Sequence, residues 1–112
     1  MRSVLLVVAL SVFASVSGVA QPRNGTCRGV VRDNRLKKPL PDVQVTLTNS
    51  KKEYKTLTNE SGQYSLDLPP ATYSLSAVLI GFARLNKPKI EIKESKTTQL
   101  DLQLVVGSFN SN

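Results

Sequence analysis

The sequence predicts an all-β domain, a seven-stranded Greek-key β-sandwich preceded by a cleavable export signal. Three observations carry this. Short runs alternating apolar and polar residues recur about every ten residues, divided by turn residues. No segment sustains the 3.6-residue period of an amphipathic helix. The apolar run Val4–Val16 follows Arg2 and ends near Ser17-Gly18-Val19-Ala20, the small-residue pattern of a signal peptidase site.

Cleavage between Ala20 and Gln21 would leave 92 of the 112 residues. The apolar run is shorter than the roughly 20 residues needed to span a bilayer. An uncleaved anchor is the alternative, and no transmembrane segment is expected after cleavage. Residues 21–25 then form an N-terminal extension, 26–106 the sandwich and 107–112 a flexible tail.

The first strand, Thr26–Arg32, turns Cys27, Gly29 and Val31 to one face. A solvated loop with two prolines, Asp33–Asp42, leads to a second strand, Val43–Thr48, burying Val43, Val45 and Leu47. Asn49–Lys52 turns into a third strand, Tyr54–Thr58, expected to turn Leu57 inward and Tyr54, Thr56 and Thr58 outward. Two hairpins are expected next. Asn59–Gly62 would set Leu57 opposite Tyr64 on strand four, Gln63–Leu68, with Gly62 supplying a positive φ. Pro69–Thr72 would set Leu66 opposite Leu75 on strand five, Tyr73–Leu79. Both hairpins place one apolar set on one face. Tyr64 and Tyr73 belong to that face, with hydroxyls reaching for partners at its rim. A basic loop, Phe82–Pro88, precedes strand six, Lys89–Lys93, with Ile90 and Ile92 inward. The last strand, Thr98–Val106, is expected to bury Leu100, Leu102, Leu104 and Val106.

Gly29-Val30-Val31-Arg32-Asp33 and Lys38–Val45 resemble the G-x-V-x-D … P-L-x-x-V-x-V opening of carboxypeptidase regulatory-like domains. Thr58–Leu66 resembles their T-x-x-x-G-x-Y-x-L segment. Leu68–Leu75 and Gly81-Phe82 resemble L-P-P-G-x-Y-x-L … G-[FY]. Ala71 and Asp42 stand where that family favours Gly, which implies different turns there. The resemblance implies a transthyretin/prealbumin-like sandwich within the carbohydrate-binding-like superfamily. It also implies a secreted, periplasmic or cell-envelope accessory module without catalytic activity or cofactor.

Residue chemistry points the same way. The chain has no histidine, which removes a His-ligated zinc, a Ser-His-Asp triad and the histidine-dependent transthyretin-like hydrolases. Cys27 is the sole cysteine. It forms no internal disulfide, lacks the apolar upstream residues of a lipidation site and is expected in the core. The carboxylates are scattered over loops and outer faces rather than paired across a cleft. Arg35, Lys37 and Lys38 disfavour a calcium loop between Asp33 and Asp42.

Two surfaces are candidates for binding. In the expected register Tyr54 lies opposite Asp67, with Thr56 and Ser65 beside them, an aromatic face with polar partners suited to a sugar. An ordinary solvated sheet face is the plainer alternative. The second surface is basic: Lys37, Lys38, Lys51, Lys52, Arg84 and Lys87 all fall in expected loops, and the formal net charge is +7. An unidentified protein or glycan at the cell envelope is the expected partner. Nucleic acid is not, since an exported chain with few aromatics lacks stacking platforms. Asn24-Gly25-Thr26 and Asn59-Glu60-Ser61 match the N-glycosylation pattern of eukaryotic secreted proteins.

Overall fold

A computed structural model describes residues 22–107. The export signal with its Ala20–Gln21 cleavage site and most of the expected tail lie outside the described residues. Those described form eight strands and no helix: β1 (Gly25–Asp33), β2 (Gln44–Thr48), β3 (Glu53–Leu57), β4 (Gln63–Leu68), β5 (Ala71–Val78), β6 (Leu85–Ile92), β7 (Thr97–Gln99) and β8 (Leu102–Leu104).

Two sheets face each other. One runs β4-β1-β7, with β8 pairing the far half of β1; the other runs β3-β2-β5-β6. The second sheet is antiparallel throughout, whereas β1 runs parallel to both β7 and β8. Between them lies a core of Cys27, Val31, Val43, Val45, Leu47, Tyr64, Leu68, Tyr73, Leu75, Ala77, Ile92, Leu102 and Leu104. Most of these are the inward positions that period-two alternation predicts. Every described strand and this core lie within residues 25–104, so that segment has a hydrophobic core of its own.

Eight strands replace the expected seven because the last one is broken at Leu100-Asp101. Gly29 of β1 lies against that break: a Cβ there would stand 2.0 Å from the Leu100 carbonyl oxygen. The ladder is carried across by Leu100 N donating to Arg28 O at 2.7 Å and by Val30 N donating to Asp101 Oδ1 at 2.9 Å. A side-chain carboxylate thus replaces a backbone acceptor. Leu102 and Leu104 are buried as expected, but Leu100 is half-buried and Val106 is exposed.

Two expectations about pairing fail. β3 and β4 belong to different sheets, as do β4 and β5, so Asn59–Gly62 and Pro69-Pro70 are crossings between sheets rather than hairpin loops. Gly62 does adopt a positive φ of 75°. Asn59 Oδ1 accepts from Ser61 N and Gln63 N, which folds the crossing tightly and engages the side chain of the second glycosylation pattern. β6 also starts earlier than expected, at Leu85, and includes Pro88. That proline is tolerated because β6 is an edge strand. The ladder shifts register between Tyr73 and Leu75, and Lys89 takes φ 61°.

Candidate binding surfaces

β3 carries the inversion that matters most for the first candidate surface. Thr58 is only 3% exposed and Leu57 is 59% exposed, the reverse of the expected facing. The Thr58 hydroxyl explains the choice. It accepts from Val43 N at 2.9 Å and donates to Leu40 O at 2.6 Å, satisfying two backbone groups where the Asp33–Asp42 loop enters β2. Thr56 and Tyr54, two and four residues back, consequently turn inward and are half-buried. The Tyr54 ring meets Tyr73 edge-on, with centroids 5.9 Å apart at 84°, and Lys52 Nζ stands 5.5 Å from its centroid.

Ser65 and Asp67 sit on exposed positions of β4, in the other sheet. Asp67 Oδ1 accepts from Thr26 Oγ1 at 2.7 Å, and Ser65 lines a shallow depression with Arg28, Gln63 and Gln99. Tyr54 is therefore not opposite Asp67. Tyr54, Thr56, Ser65 and Asp67 do not converge on one face, and the Tyr54 ring packs against Tyr73 instead of lying open.

The basic residues divide likewise. Lys37 and Lys38 precede β2 and Arg84 precedes β6, at one end of the sandwich. Lys51 and Lys52 turn β2 into β3 at the other end. Lys87 lies within β6, opposite Leu75. Lys37 Nζ donates to Gln103 Oε1 at 3.3 Å, which ties its loop to β8.

The outer face of the β3-β2-β5-β6 sheet is a surface that the sequence reading did not single out. Thr46 and Thr48 of β2 stand beside Ser76 and Ser74 of β5, their direct register partners. These short hydroxyl side chains floor a trough of about 610 Å³. Glu53 and Lys55 rise on the β3 side, joined by an ion pair of 3.6 Å, while Arg84 and Asn86 rise on the β6 side. Thr46 is only 8% exposed although it faces outward, because taller neighbours flank it. The signal was present as alternating Thr and Ser, a pattern indistinguishable from a plain solvated face.

Buried and hydrogen-bonded groups are otherwise structural. Burial pushes the Cys27 thiol up, against a weaker opposing hydrogen bond with Tyr64. Desolvation likewise pushes the Tyr64 hydroxyl well up, and that hydroxyl donates to Leu100 O at 2.5 Å. Tyr73 donates to Pro69 O at 2.6 Å. Hydrogen bonds from Leu36 N and Arg35 N hold the Asp33 carboxyl below its usual range. Val30 N and the Gln99 amide do the same for Asp101. Among the described residues no cluster of three or more His, Cys, Asp or Glu could hold a metal ion. No helix there is long and apolar enough to cross a membrane.

Residues 26–105 match the carboxypeptidase regulatory-like domain family. The chain belongs to that family. As a carboxypeptidase regulatory-like domain it is similar in structure to the TIE protein of Bacillus anthracis, with a TM-score of 0.64 and 24% identity over 75% of this chain and 17% of that one. A putative carbohydrate binding protein from Bacteroides uniformis gives a TM-score of 0.62 at 12% identity, over 75% of this chain and 42% of that one. The 5-hydroxyisourate hydrolase of Klebsiella pneumoniae gives 0.59 at 21% identity, over 75% and 92%. The domain thus spans less than half of each of the first two structures. No curated protein matches it significantly. At these identities the likenesses show the transthyretin-like and carbohydrate-binding-like sandwich fold.

Proposed function

We propose that this domain is an exported, non-catalytic module for binding or scaffolding at the cell envelope. The observation that carries the reading is the hydroxyl-floored trough on the β3-β2-β5-β6 sheet, with the Glu53–Lys55 ion pair on one rim and Arg84 on the other. The absence of histidine supports a non-catalytic role. So does the engagement of Asp33, Asp67 and Asp101 in hydrogen bonds rather than as an opposed pair. Export rests on the apolar run and small-residue site before Gln21.

Carbohydrate binding is the second reading. It moves from Tyr54, whose ring is packed, to the trough, where Thr46, Thr48, Ser74 and Ser76 offer hydroxyls in two adjacent rows. Residues 21–112 would be applied to a glycan array and to envelope fragments at low and moderate salt. Salt-resistant glycan capture lost in Ser76→Trp, which fills the trough, supports the carbohydrate reading. Capture of an envelope protein by cross-linking, lost in the same variant, supports scaffolding through this face. Capture unaffected by Ser76→Trp overturns the trough as the site. N-terminal sequencing of the exported protein should begin at Gln21, and a start at Met1 would overturn cleavage.

A further inference from the structure

The loop end of the sandwich opposite the Lys51-Lys52 turn exposes apolar side chains that the fold does not use. Ile80, at the tip of the turn joining β5 to β6, is 97% exposed. Leu36, Val105 and Val106 are each more than half exposed. These residues belong to three neighbouring segments. Phe82 bridges Val106, Ala83 N donates to Val105 O at 2.8 Å, and Gly107 N donates to Gly81 O at 3.3 Å. Asn34 N donates to Leu104 O at 2.8 Å, which brings the Leu36 turn alongside. Scattered single apolar residues are ordinary on a surface, but several gathered at one tip mark a contact site.

Cations flank the apolar residues of this tip in the chain. Arg35 and Lys37 flank Leu36 in the chain, and Arg84 follows the Ile80 turn. Asn34, Arg35, Val105 and Val106 line a common small cleft, so cation and apolar groups are interleaved there. The nearest carboxylate in the chain, Asp33, is turned inward and takes Arg35 N and Leu36 N as donors. Asp42 stands at this same end, two residues before Gln44, which pairs with Val78 short of the Ile80 turn, and Glu60 lies by the β3–β4 crossing; Arg35, Lys37, Lys38 and Arg84 outnumber them.

We propose that this tip docks on an anionic lipid bilayer, with Ile80, Leu36, Val105 and Val106 entering the headgroup–acyl boundary and Arg35, Lys37 and Arg84 meeting lipid phosphates. The charge complementarity selects this occupant: apolar side chains flanked by an excess of cations suit a surface that is apolar beneath and negative above. The shape agrees, since a protruding turn suits a fluid phase that closes around it. The inference concerns a different surface from the trough and does not depend on that reading.

The test is cosedimentation of residues 21–112 with phosphatidylcholine vesicles, with and without phosphatidylglycerol. Binding should appear with phosphatidylglycerol and weaken as salt rises. Ile80→Asp should reduce partitioning by roughly tenfold or more, the scale of losing one buried aliphatic side chain. Its thermal melt should match the parent, because a side chain this exposed contributes nothing to the core. Arg35→Gln with Arg84→Gln should weaken binding, whereas Lys51→Gln with Lys52→Gln at the other end should not. Equal loss from both charge pairs would mean general attraction to anions and would overturn the tip as the site. Absence of binding to either vesicle, or unchanged binding of Ile80→Asp, would also overturn it. So would self-association of the parent, lost in Ile80→Asp, without vesicle binding, since a second copy would then be the occupant.

Discussion

Asp42 holds a backbone shape that glycine adopts freely and other residues rarely do. Its φ is 63°, in the left-handed region where a Cβ costs roughly 1–2 kcal/mol and where Asp is better tolerated than most residues. Asp42→Gly should stabilise the domain by up to about 1 kcal/mol in urea unfolding, the relief being partly offset by a freer unfolded chain. Asp33 and Asp101 make a second residue-scale case. Both carboxyls are held below the ordinary value of 3.8 by backbone donors. A depressed folded-state value means their stabilisation is present above the unfolded pKa and is lost as pH falls through the folded one. Thermal melts should thus be nearly flat from pH 7 to about 5 and fall below about pH 4. Asp33→Asn with Asp101→Asn, which keeps an acceptor oxygen but cannot titrate, should show a shallower acid decline.

Strand positions and their inward faces were legible because alternation is a local consequence of the pleat. Val43, Val45 and Leu47 on β2, and Tyr73, Leu75 and Ala77 on β5, are buried as their spacing requires. Partners were not legible. A Gly-bearing or Pro-Pro turn can close a hairpin or carry the chain across to the facing sheet, and the inward side chains of β4 and β5 are the same in both. Thr58 sets the facing of β3 by hydrogen bonds to Val43 and Leu40, residues distant in sequence, so no local pattern announces it. The candidate sugar face around Tyr54 and Asp67 failed with that register. At the same scale, the break between β7 and β8 depends on the missing side chain at position 29. Gly29→Ala places a Cβ against the Leu100 carbonyl and should cost about 1–3 kcal/mol or more, read as a lowered urea midpoint.

The whole domain is closed by strands from its two ends. β1 supplies one face of the core, and β8 completes it with Leu102 and Leu104, both buried. A chain truncated after Asp101 should therefore lose cooperative unfolding, measured by circular dichroism, rather than merely soften. The trough and the apolar tip were only partly visible before this assembly was known. Thr46 and Ser76 meet through strand pairing, and Phe82 and Val106 meet through segments distant in the chain.

The parallel pairing of β1 with β7 and β8 has a mechanical consequence. β1 begins at one end of the sandwich and β8 finishes at the other, side by side and pointing the same way. Tension applied through the two ends pulls these neighbours lengthwise past each other. The load then falls on all their cross-links together, including the Asp101 carboxylate, instead of peeling them apart one by one. Placed in line between an anchor and a load, such a domain would give way late and abruptly.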